Sequence, residues 1–258
     1  ESNKSRRACV ALKAKAAKDY FLLVGPPGTG KTSCALKKMV ETFHADKDSQ
    51  ILLLSYTNRA VDEICKSLAS IRPAVDFIRV GSELSCDEAY RGHLIENELA
   101  SCTRRADVYE RIRNCRIMVG TVAAISGKPE LFRLKHFDVA IVDEATQILE
   151  PQLLGILCAH GEGDRNAIDK FILIGDHKQL PAVVLQKAEQ SAIYDETLLA
   201  IGLTNLKDSL FERLYRNCPA VHRSHDMLCR QGRMHPKVAL FANRAFYGGH
   251  LIPVGLPH

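Results

Sequence analysis

Several features are missing from this sequence of 258 residues: tryptophan, any CxxC pair of cysteines, and long apolar runs. A membrane-spanning helix needs roughly 18 consecutive apolar residues, and residues 1–30 are basic and alanine-rich without the hydrophobic stretch of a secretory signal. The nine cysteines are an odd number, which argues against a disulfide framework, and their spacing argues against a zinc ribbon. We therefore expect a cytoplasmic protein, or a nuclear one in a eukaryote, with reduced thiols and no membrane partner.

A large excess of one charge sign is absent as well. Lysine and arginine number 35 against 30 aspartates and glutamates, and the net charge of +5 permits a polyanionic partner without requiring one. Hydrophobic residues (46%) and charged residues (25%) occur in the proportions of soluble globular proteins, which excludes disordered and collagen-like chains. Because the chain begins with Glu1 and not with methionine, we expect that its native start lies upstream.

Short apolar runs recur along the chain, and the stretches between them are long enough for helices. Runs that are apolar at successive positions predict strands buried on both faces, which is typical of parallel sheets joined by right-handed helical crossovers. The predicted fold class is therefore α/β, with helices flanking a parallel sheet. The runs are FLLV at 21–24, ILLL at 51–54, IMV at 117–119, VAIV at 139–142 and FILI at 171–174, with a weaker candidate, DFIRV, at 76–80.

Two segments depart from this alternation. Residues 82–115 are charged and helical in pattern, so they predict a helical insertion, either a solvated helix pair packed on the sheet or an arm that contacts a substrate. Residues 230–258 start with a polar turn, continue as a helix-like stretch and end in glycine and proline without another buried strand. They predict the truncated start of a second domain, after a first domain formed by residues 1–229.

Four metal-ligating residues near the end of the first predicted domain have helical spacing. They are Cys218, His222, His225 and Cys229. On one face of a helix they would extend over about 16 Å, whereas bonds to a tetrahedral zinc ion are about 2.0 to 2.3 Å long. We therefore do not expect a zinc site here.

The strongest local motif follows the first apolar run and has the form GxxxxGK[ST]. Its glycines allow successive backbone N–H groups to surround phosphates, and the helix that follows adds the positive end of its dipole. Lys31 is expected to reach the β- and γ-phosphates and the Thr32 hydroxyl to coordinate Mg²⁺. The predicted nucleotide-binding residues are Gly25, Pro26, Pro27, Gly28, Thr29, Gly30, Lys31 and Thr32.

Two further polar turns follow predicted strands. Asp143 and Glu144 end the run at 139–142, where an aspartate can hold Mg²⁺ and a glutamate can deprotonate a water that attacks the γ-phosphate. Such a pair alone is more often a helix N-cap, but the upstream phosphate loop favours a hydrolase site. Gln179 follows the run at 171–174, and its amide could detect the γ-phosphate. Turns at the carboxyl ends of parallel strands converge where open α/β sheets bind ligands.

Seven motifs occur in the order found in superfamily 1 DNA and RNA helicases: GPPGTGKT, SYTNRAVDEI, MVGTV, DEATQ, GDHKQLP, SLFERL and QGRMHP. The chain resembles in particular the branch that moves 5′ to 3′ and contains RNA-surveillance and DNA-replication helicases. The resemblance extends from about Asn3 to Leu251. It implies a RecA-like fold that hydrolyses ATP, or another NTP, with Mg²⁺ and binds single-stranded DNA or RNA.

The resemblance also implies roles for individual residues. Thr121 matches a contact to the nucleic-acid strand, Gln147 and Gln179 match residues that couple the nucleotide state to the grip on that strand, and Arg233 matches an arginine that touches the γ-phosphate. The predicted catalytic residues are thus Lys31, Glu144, Gln179 and Arg233. The family turn that grips the nucleic-acid backbone is matched by Ser55, Tyr56, Thr57, Asn58 and Arg59. An alternative for Arg59 is a solvated charge at a helix start.

Two positions depart from the family pattern. Gly232 stands where the family commonly has a tyrosine that stacks on adenine, and Arg6 stands where a glutamine that reads the adenine edge is expected. Both differences predict relaxed selectivity for the base of the nucleotide.

Two other functions remain alternatives to a translocating motor. One is a nucleotide-switched module that clamps and releases nucleic acid without productive unwinding. The other is a phosphate-loop ATPase that remodels proteins, although such proteins do not usually carry turns of the SYTNRAVDEI and GDHKQLP form. The sequence leaves the strand type and the oligomeric state open.

Overall fold

A seven-stranded parallel sheet forms the centre of the fold in the computed structural model, which describes residues 3–218 and 224–254. The spatial order is β3-β4-β2-β5-β6-β1-β7, and neighbouring strands are parallel. The predicted α/β fold class is confirmed. The strands are β1 (Tyr20–Val24), β2 (Ile51–Ser55), β3 (Ile78–Val80), β4 (Ile117–Thr121), β5 (Val139–Val142), β6 (Phe171–Gly175) and β7 (His225–Met227), and a separate small sheet pairs β8 (Arg230–Gln231) with β9 (Ile252–Pro253).

Helices flank the sheet on both faces. A π-helical turn, Lys31–Leu36, leads into the second of them. No helix within the described ranges is long and apolar enough to cross a membrane. The helices are α1 (Asn3–Ala16), α2 (Lys37–His44), α3 (Asn58–Ala69), α4 (Ile95–Glu98), α5 (Arg105–Asn114), α6 (Val122–Ser126), α7 (Glu130–Leu134), α8 (Glu150–Leu157), α9 (Ala188–Ser191), α10 (Glu196–Ala200), α11 (Leu210–Asn217) and α12 (Pro236–Phe246).

The strands separate two hydrophobic cores because their side chains are apolar at successive positions. In β2, Ile51 and Leu53 belong to the core shared with α1, α2 and α3, whereas Leu52 and Leu54 belong to the core shared with α6, α8 and α11. All four side chains are fully buried. Burial of one such side chain contributes about 1.5 to 3 kcal/mol, so both cores hold the strand in its register.

All six apolar runs form strands, and the differences from prediction lie at their ends. The run at 139–142 matches β5, while the weaker candidate at 76–80 is a strand only over Ile78–Val80. The strand β7 was not predicted, since its sequence, HDM, has no apolar pattern. It pairs with the edge of β1, and its Asp226 accepts hydrogen bonds from Arg6 (3.2 Å) and Lys13 (2.7 Å) of α1. Long-range contacts therefore define this strand.

The helical spacing proposed for the four metal-ligating residues near 218–229 is wrong. The helix α11 ends at Asn217, and His225 lies in β7 because the edge of β1 offers backbone partners to this segment. His222 lies outside the described residues. The expectation that these residues form no zinc site was based on a helix over 218–229, whereas the described residues 224–229 contain β7 and no helix.

The charged segment at 82–115 packs against the β3 edge of the sheet. It contains two 3₁₀ turns, Glu83–Ser85 and Glu88–His93, followed by α4 and α5. Arg111 of α5 binds the carboxylates of Glu98 (2.7 Å) and Asp76 (2.9 Å), and buried Ile95 and Ile112 contribute apolar contacts. The bond to Glu98 joins α5 to α4 within the segment, and the bond to Asp76 joins α5 to the chain just before β3.

The segment after β7 docks beside the phosphate loop. The N–H of Gly232 donates to the carbonyl of Gly28 (3.0 Å), and the Tyr247 hydroxyl donates to Asp176 (2.7 Å). Within the segment, the side chain of Asn243 bonds both backbone groups of Leu251 (2.8 Å each). Residues 230–254 are thereby fixed at two separate points along the edge where the predicted site lies.

Candidate nucleotide site

The phosphate loop connects the end of β1 to the π-helical turn at Lys31. Gly28 has a φ of 74°, a left-handed conformation that favours glycine. A Cβ at Gly28 would lie 2.6 Å from the Cβ of Arg233, so the glycine also permits the later segment to approach. A Cβ at Gly25 would lie 2.2 Å from the Cγ of Lys31, because the lysine chain passes directly over this position. These two glycines therefore permit the Arg233 segment and the Lys31 side chain to approach the loop closely.

The strand order explains why the predicted turns meet. β6 lies between β5 and β1, so the turns that follow these three strands, which carry Gln179, the carboxylate pair and the phosphate loop, are neighbours. All three turns are at the carboxyl edge of the sheet because the strands are parallel. The structure thus brings together residues that are about 110 to 150 positions apart in the chain.

Thr32 and Asp143 are in direct contact. The Thr32 hydroxyl donates to Oδ2 of Asp143, and the backbone N–H of Glu144 donates to Oδ1 (3.0 Å). Asp143 is only 1% exposed, and this burial raises its pKa to about 6, against the opposing effect of the Thr32 hydrogen bond. A buried carboxylate beside a hydroxyl offers the hard oxygen ligands that a divalent cation binds.

Glu144 has an unusual backbone conformation. Its φ of 53° places it in the left-handed region, and it is the only non-glycine residue in the described ranges with a positive φ. Such strain costs on the order of 1 to 3 kcal/mol and is concentrated at functional sites. Its Oε1 lies 3.5 Å from the Nζ of Lys31, so the turn aims this carboxylate at the phosphate loop. No sequence pattern indicated this conformation.

Gln179 is held by a buried aspartate in its own turn. Its Nε2 donates to Oδ2 of Asp176 (2.8 Å), and the N–H of Lys178 donates to Oδ1 (3.0 Å). Asp176 is 1% exposed. Because an amide has two N–H donors and one acceptor oxygen, Gln179 retains one donor and its oxygen for a ligand.

The phosphate loop, Glu144 and Gln179 line one pocket with a volume of about 400 Å³. Arg59 and Glu63, one helical turn apart on α3, also line this pocket. The sequence predicted Arg59 on the strand-binding turn, and only the structure places Arg59 and Glu63 at the nucleotide pocket. The lining residues are Pro26, Pro27, Gly28, Thr29, Gly30, Lys31, Thr32, Ser33, Arg59, Glu63, Glu144, Gln179 and Arg233.

The residues predicted to contact a nucleic-acid strand differ in accessibility. Ser55 is fully buried, and its hydroxyl donates to the carbonyl of Asp143 (3.2 Å), so it joins β2 to the carboxylate turn and does not face solvent. Thr57 and Thr121 each accept a hydrogen bond at a helix start, from Ala60 (3.2 Å) and Ala124 (3.1 Å). Thr57 and the following Asn58 lie at the surface end of this edge.

Ser55 and Thr121 are direct partners in the β2–β4 register. The two capping turns therefore lie side by side on neighbouring strands. Gln147, the other predicted coupling residue, is exposed at the end of the short 3₁₀ turn Ala145–Gln147 that follows Glu144.

A second cavity, of about 390 Å³, adjoins the phosphate loop at Thr29. Its wall includes Arg6, Arg230 and His250. Arginine and histidine side chains therefore lie beside the loop. One of them, Arg6, occupies the position where the family pattern has a glutamine that reads the adenine edge.

A parallel sheet with a phosphate loop after one strand and a carboxylate pair after another defines a RecA-like nucleotide-binding fold. A family model described as an AAA domain matches residues 1–105 and 95–187, and a second model, also described as an AAA domain, matches residues 206–254. The chain belongs to this AAA-domain family, which is the signature of superfamily 1 helicases.

Curated relatives agree with this family. The chain is 34% identical over 251 residues to the DNA replication ATP-dependent helicase/nuclease DNA2 of Homo sapiens, covering 96% of this chain and 21% of the relative. It is 27% identical over 265 residues to the putative ATP-dependent RNA helicase ECM32 of Saccharomyces cerevisiae, covering 89% of this chain and 21% of the relative. The chain therefore spans about a fifth of the length of these proteins.

Among solved structures, the helicase nonstructural protein 10 of an arterivirus, determined in complex with DNA, has a TM-score of 0.53 at 17% sequence identity. The match covers 97% of this chain and 44% of that one. At this level of identity the likeness supports the fold.

Proposed function

We propose that this chain is the nucleotide-hydrolysing motor domain of a helicase or translocase that binds single-stranded nucleic acid. The observation that carries the proposal is the convergence of Lys31, Glu144, Gln179 and Arg233 on one pocket at the carboxyl edge of the sheet. This pocket combines a phosphate cradle, a basic carboxylate and two groups suited to detect a γ-phosphate.

Lys31 is proposed to bind the triphosphate. Its side chain is 11% exposed and currently lies near the Glu144 carboxylate, so a triphosphate would compete with that carboxylate for the ammonium. The start of the helical turn at Lys31 contributes further positive potential. ATP or another NTP is the proposed substrate, and the cationic cavity beside Thr29 is the proposed location of the base.

Thr32 and Asp143 fit a divalent cation, which we propose to be Mg²⁺. Their oxygens are in contact, and the raised pKa of Asp143 reflects a buried carboxylate that a nearby positive charge would stabilise in its ionised form. Mg²⁺ bound there would neutralise charge on the phosphates. Asp143 and Thr32 would hold it, while Glu144 remains free for a different task.

Glu144 is proposed to orient and deprotonate the attacking water. Its carboxylate is partly exposed to the pocket, in contrast to the buried Asp143, so a water can reach it. Gln179 and Arg233 would then donate hydrogen bonds to the γ-phosphate as its charge redistributes. These donors come from different segments, so hydrolysis would depend on how the segments are aligned.

The proposed path of the nucleic acid crosses the turns at Thr57, Asn58 and Thr121. The helix that begins at Asn58 has 12 residues, and its exposed start provides N–H groups for a backbone phosphate. Tyr56 beside it is 47% exposed and offers an aromatic face. Ser55 would support this turn from inside, and Arg59 would act on the side of the nucleotide.

The domain organisation is also a proposal. Residues 1–229 would form the first RecA-like domain, with an insertion at about 82–115, and residues 230–258 would begin a second one. Support comes from α12, where Val238 (63%) and Phe241 (73%) are exposed although they are apolar.

Binding of single strands should be sensitive to salt and nearly independent of sequence. Contacts from helix starts and hydroxyls go to phosphate and sugar, and each neutralised phosphate contributes about 0.7 to the slope of log affinity against log salt concentration. The measurement is fluorescence anisotropy with DNA and RNA oligonucleotides of several mixed sequences over a range of salt concentrations. Affinity that does not change with salt, or a strong preference for one sequence, would contradict the proposed path.

Residues 1–258 by themselves should bind Mg²⁺ and nucleotide but hydrolyse it slowly and unwind no duplex. An arginine supplied to the γ-phosphate from an opposing domain can contribute roughly 10³ to 10⁵ in rate, and a translocation cycle needs two domains that close and open. In this chain, the segment that begins at Arg230 supplies one such arginine, Arg233, to the pocket.

The test combines nucleotide titration, steady-state ATPase assays and duplex-unwinding assays, with single-stranded DNA and RNA compared. Absence of nucleotide binding would reject the proposed function. Fast, strand-stimulated turnover would show instead that no opposing domain is needed. We expect the affinity for single-stranded nucleic acid to change with the bound nucleotide, without unwinding of the duplex. A nucleotide-switched binding module would give the same result.

A further inference from the structure

Asp176 lies at a junction between two parts of the proposed site. Its carboxylate is 1% exposed and accepts three hydrogen bonds, of which two reach the same oxygen, Oδ2. One of these comes from the amide of Gln179 (2.8 Å) and the other from the hydroxyl of Tyr247 (2.7 Å), which lies 71 positions further along the chain. A buried carboxylate requires such donors, so each of them restricts its position.

The two donors belong to segments that both reach the phosphate pocket. Gln179 lines the pocket directly, whereas Tyr247 follows α12 in the segment that carries Arg233. The same segment is attached to the phosphate loop through Gly232 and Gly28 (3.0 Å). A tyrosine that is itself outside the pocket therefore joins the turn of Gln179 to the segment of Arg233.

We infer that Tyr247 is a positioning residue that acts through Asp176 to hold Gln179 in readiness for the γ-phosphate. One N–H of the Gln179 amide is fixed by Asp176, which leaves the second N–H and the amide oxygen for the pocket. Tyr247 limits the movement of Asp176 and thereby of that amide. This inference deepens the proposed function and rests on it.

The environment of Tyr247 fits this role. The residue is 7% exposed, and burial together with the neighbouring Asp176 raises the pKa of its hydroxyl, so the hydroxyl stays protonated and donates throughout the neutral pH range. A hydrogen bond to a charged acceptor in a shielded position is stronger than one between neutral groups. Its removal is therefore expected to have a measurable effect.

The turn has a second, independent support. The ring centroids of His177 and Tyr215, a residue of α11, are 4.3 Å apart, and neither residue is part of the Tyr247 segment. Removing only the hydroxyl of Tyr247 should consequently leave the fold and the turn in place. What should change is the orientation of Gln179 relative to a γ-phosphate.

The test compares two nucleotides that differ at the γ-phosphate. In residues 1–258, dissociation constants are measured by calorimetry for AMP-PNP and for ADP, each with Mg²⁺, in the wild type, Tyr247→Phe, Gln179→Ala and the double variant. Tyr247→Phe should lower the preference for AMP-PNP over ADP by about 3- to 30-fold, while ADP affinity changes less than about twofold. Tyr90→Phe, which removes a hydroxyl in the segment at 82–115, is the matched control and should keep the wild-type preference.

The double variant separates a positioning role from a general structural one. If Tyr247 acts through Gln179, the double variant should have the same nucleotide preference as Gln179→Ala alone. Additive effects, or an unchanged preference in Tyr247→Phe, would overturn the inference. Should Tyr247→Phe fold poorly, Asp176→Asn tests the carboxylate that joins Tyr247 to Gln179. It should also lower the preference for AMP-PNP, and an unchanged preference would overturn the inference.

The proposed function and this inference can fail separately. If the wild type binds neither nucleotide, the proposed function is rejected. If the wild type and Gln179→Ala differ in their preference for AMP-PNP while Tyr247→Phe matches the wild type, only the role of Tyr247 is rejected.

Discussion

Lys31→Ala should weaken the binding of Mg²⁺–ATP to residues 1–258 by about 10² to 10³, up to complete loss of detectable binding. Removing one partner from a shielded charge pair costs about 2 to 5 kcal/mol, because the phosphates then lose their main compensating charge. The Lys31 side chain is 11% exposed and lies at the mouth of the phosphate loop, so solvent cannot fully replace its charge. Equilibrium titration with a fluorescent ATP analogue measures the effect.

Lys47→Ala is a matched control for this variant. It removes the same charge from an exposed position just beyond the end of α2, the helix that continues from the phosphate loop. The affinity of this variant for ATP should stay within about twofold of the wild type, since an exposed charge outside the pocket is screened by salt. Wild-type affinity in Lys31→Ala would show that the nucleotide binds elsewhere.

Glu144→Gln should retain ATP but reduce the rate of hydrolysis by about 10² to 10⁴. The amide preserves the size and hydrogen bonding of the side chain and removes its basicity, so the attacking water is still held and no longer deprotonated. Single-turnover cleavage of radiolabelled ATP, followed over long times, measures this rate even when the wild-type turnover is slow. Unchanged cleavage would mean that another group is the base.

Asp143→Asn gives the contrasting result that separates the two carboxylates. Because Asp143 is buried against Thr32, its loss should weaken the Mg²⁺-dependent part of nucleotide binding, whereas Glu144→Gln should leave that part intact. Glu189→Gln, an exposed carboxylate change in α9, controls for the loss of one negative charge and should alter neither quantity. If Asp143→Asn and Glu144→Gln weakened Mg²⁺-dependent binding equally, the assignment of Asp143 to the metal and of Glu144 to the water would be contradicted.

Local patterns in the sequence were sufficient for the sheet and the phosphate loop. Six strands were visible because burial on both faces requires continuous apolar runs, as at 51–54 and 139–142. The phosphate loop was visible because close approach of backbone and phosphate requires glycine at fixed spacing. Asp143 and Glu144 followed from their position at the end of a strand, since the carboxyl edge of a parallel sheet collects such residues.

Tertiary structure alone decided the features that depend on distant partners. The strand β7 has no apolar pattern and exists because β1 offers it a free edge. Ser55 was expected to contact the nucleic-acid strand, but it is buried beneath its turn. Arg59 was expected to contact the same strand, but it lines the nucleotide pocket. In both cases the direction of the side chain depends on what packs against the turn after the strand.

The bond between Asp176 and Tyr247 is the clearest case of this dependence. Nothing near either residue in the sequence indicates the other, and the hydroxyl and carboxylate meet only because α12 docks along the edge of the sheet where β6 ends. The sequence by itself determined the class of fold and the chemistry of the phosphate site, since both are encoded in short segments with their own conformational requirements. The folded arrangement decided which distant side chains hold that chemistry in place, because hydrogen bonds between buried groups form only after packing has removed water from both.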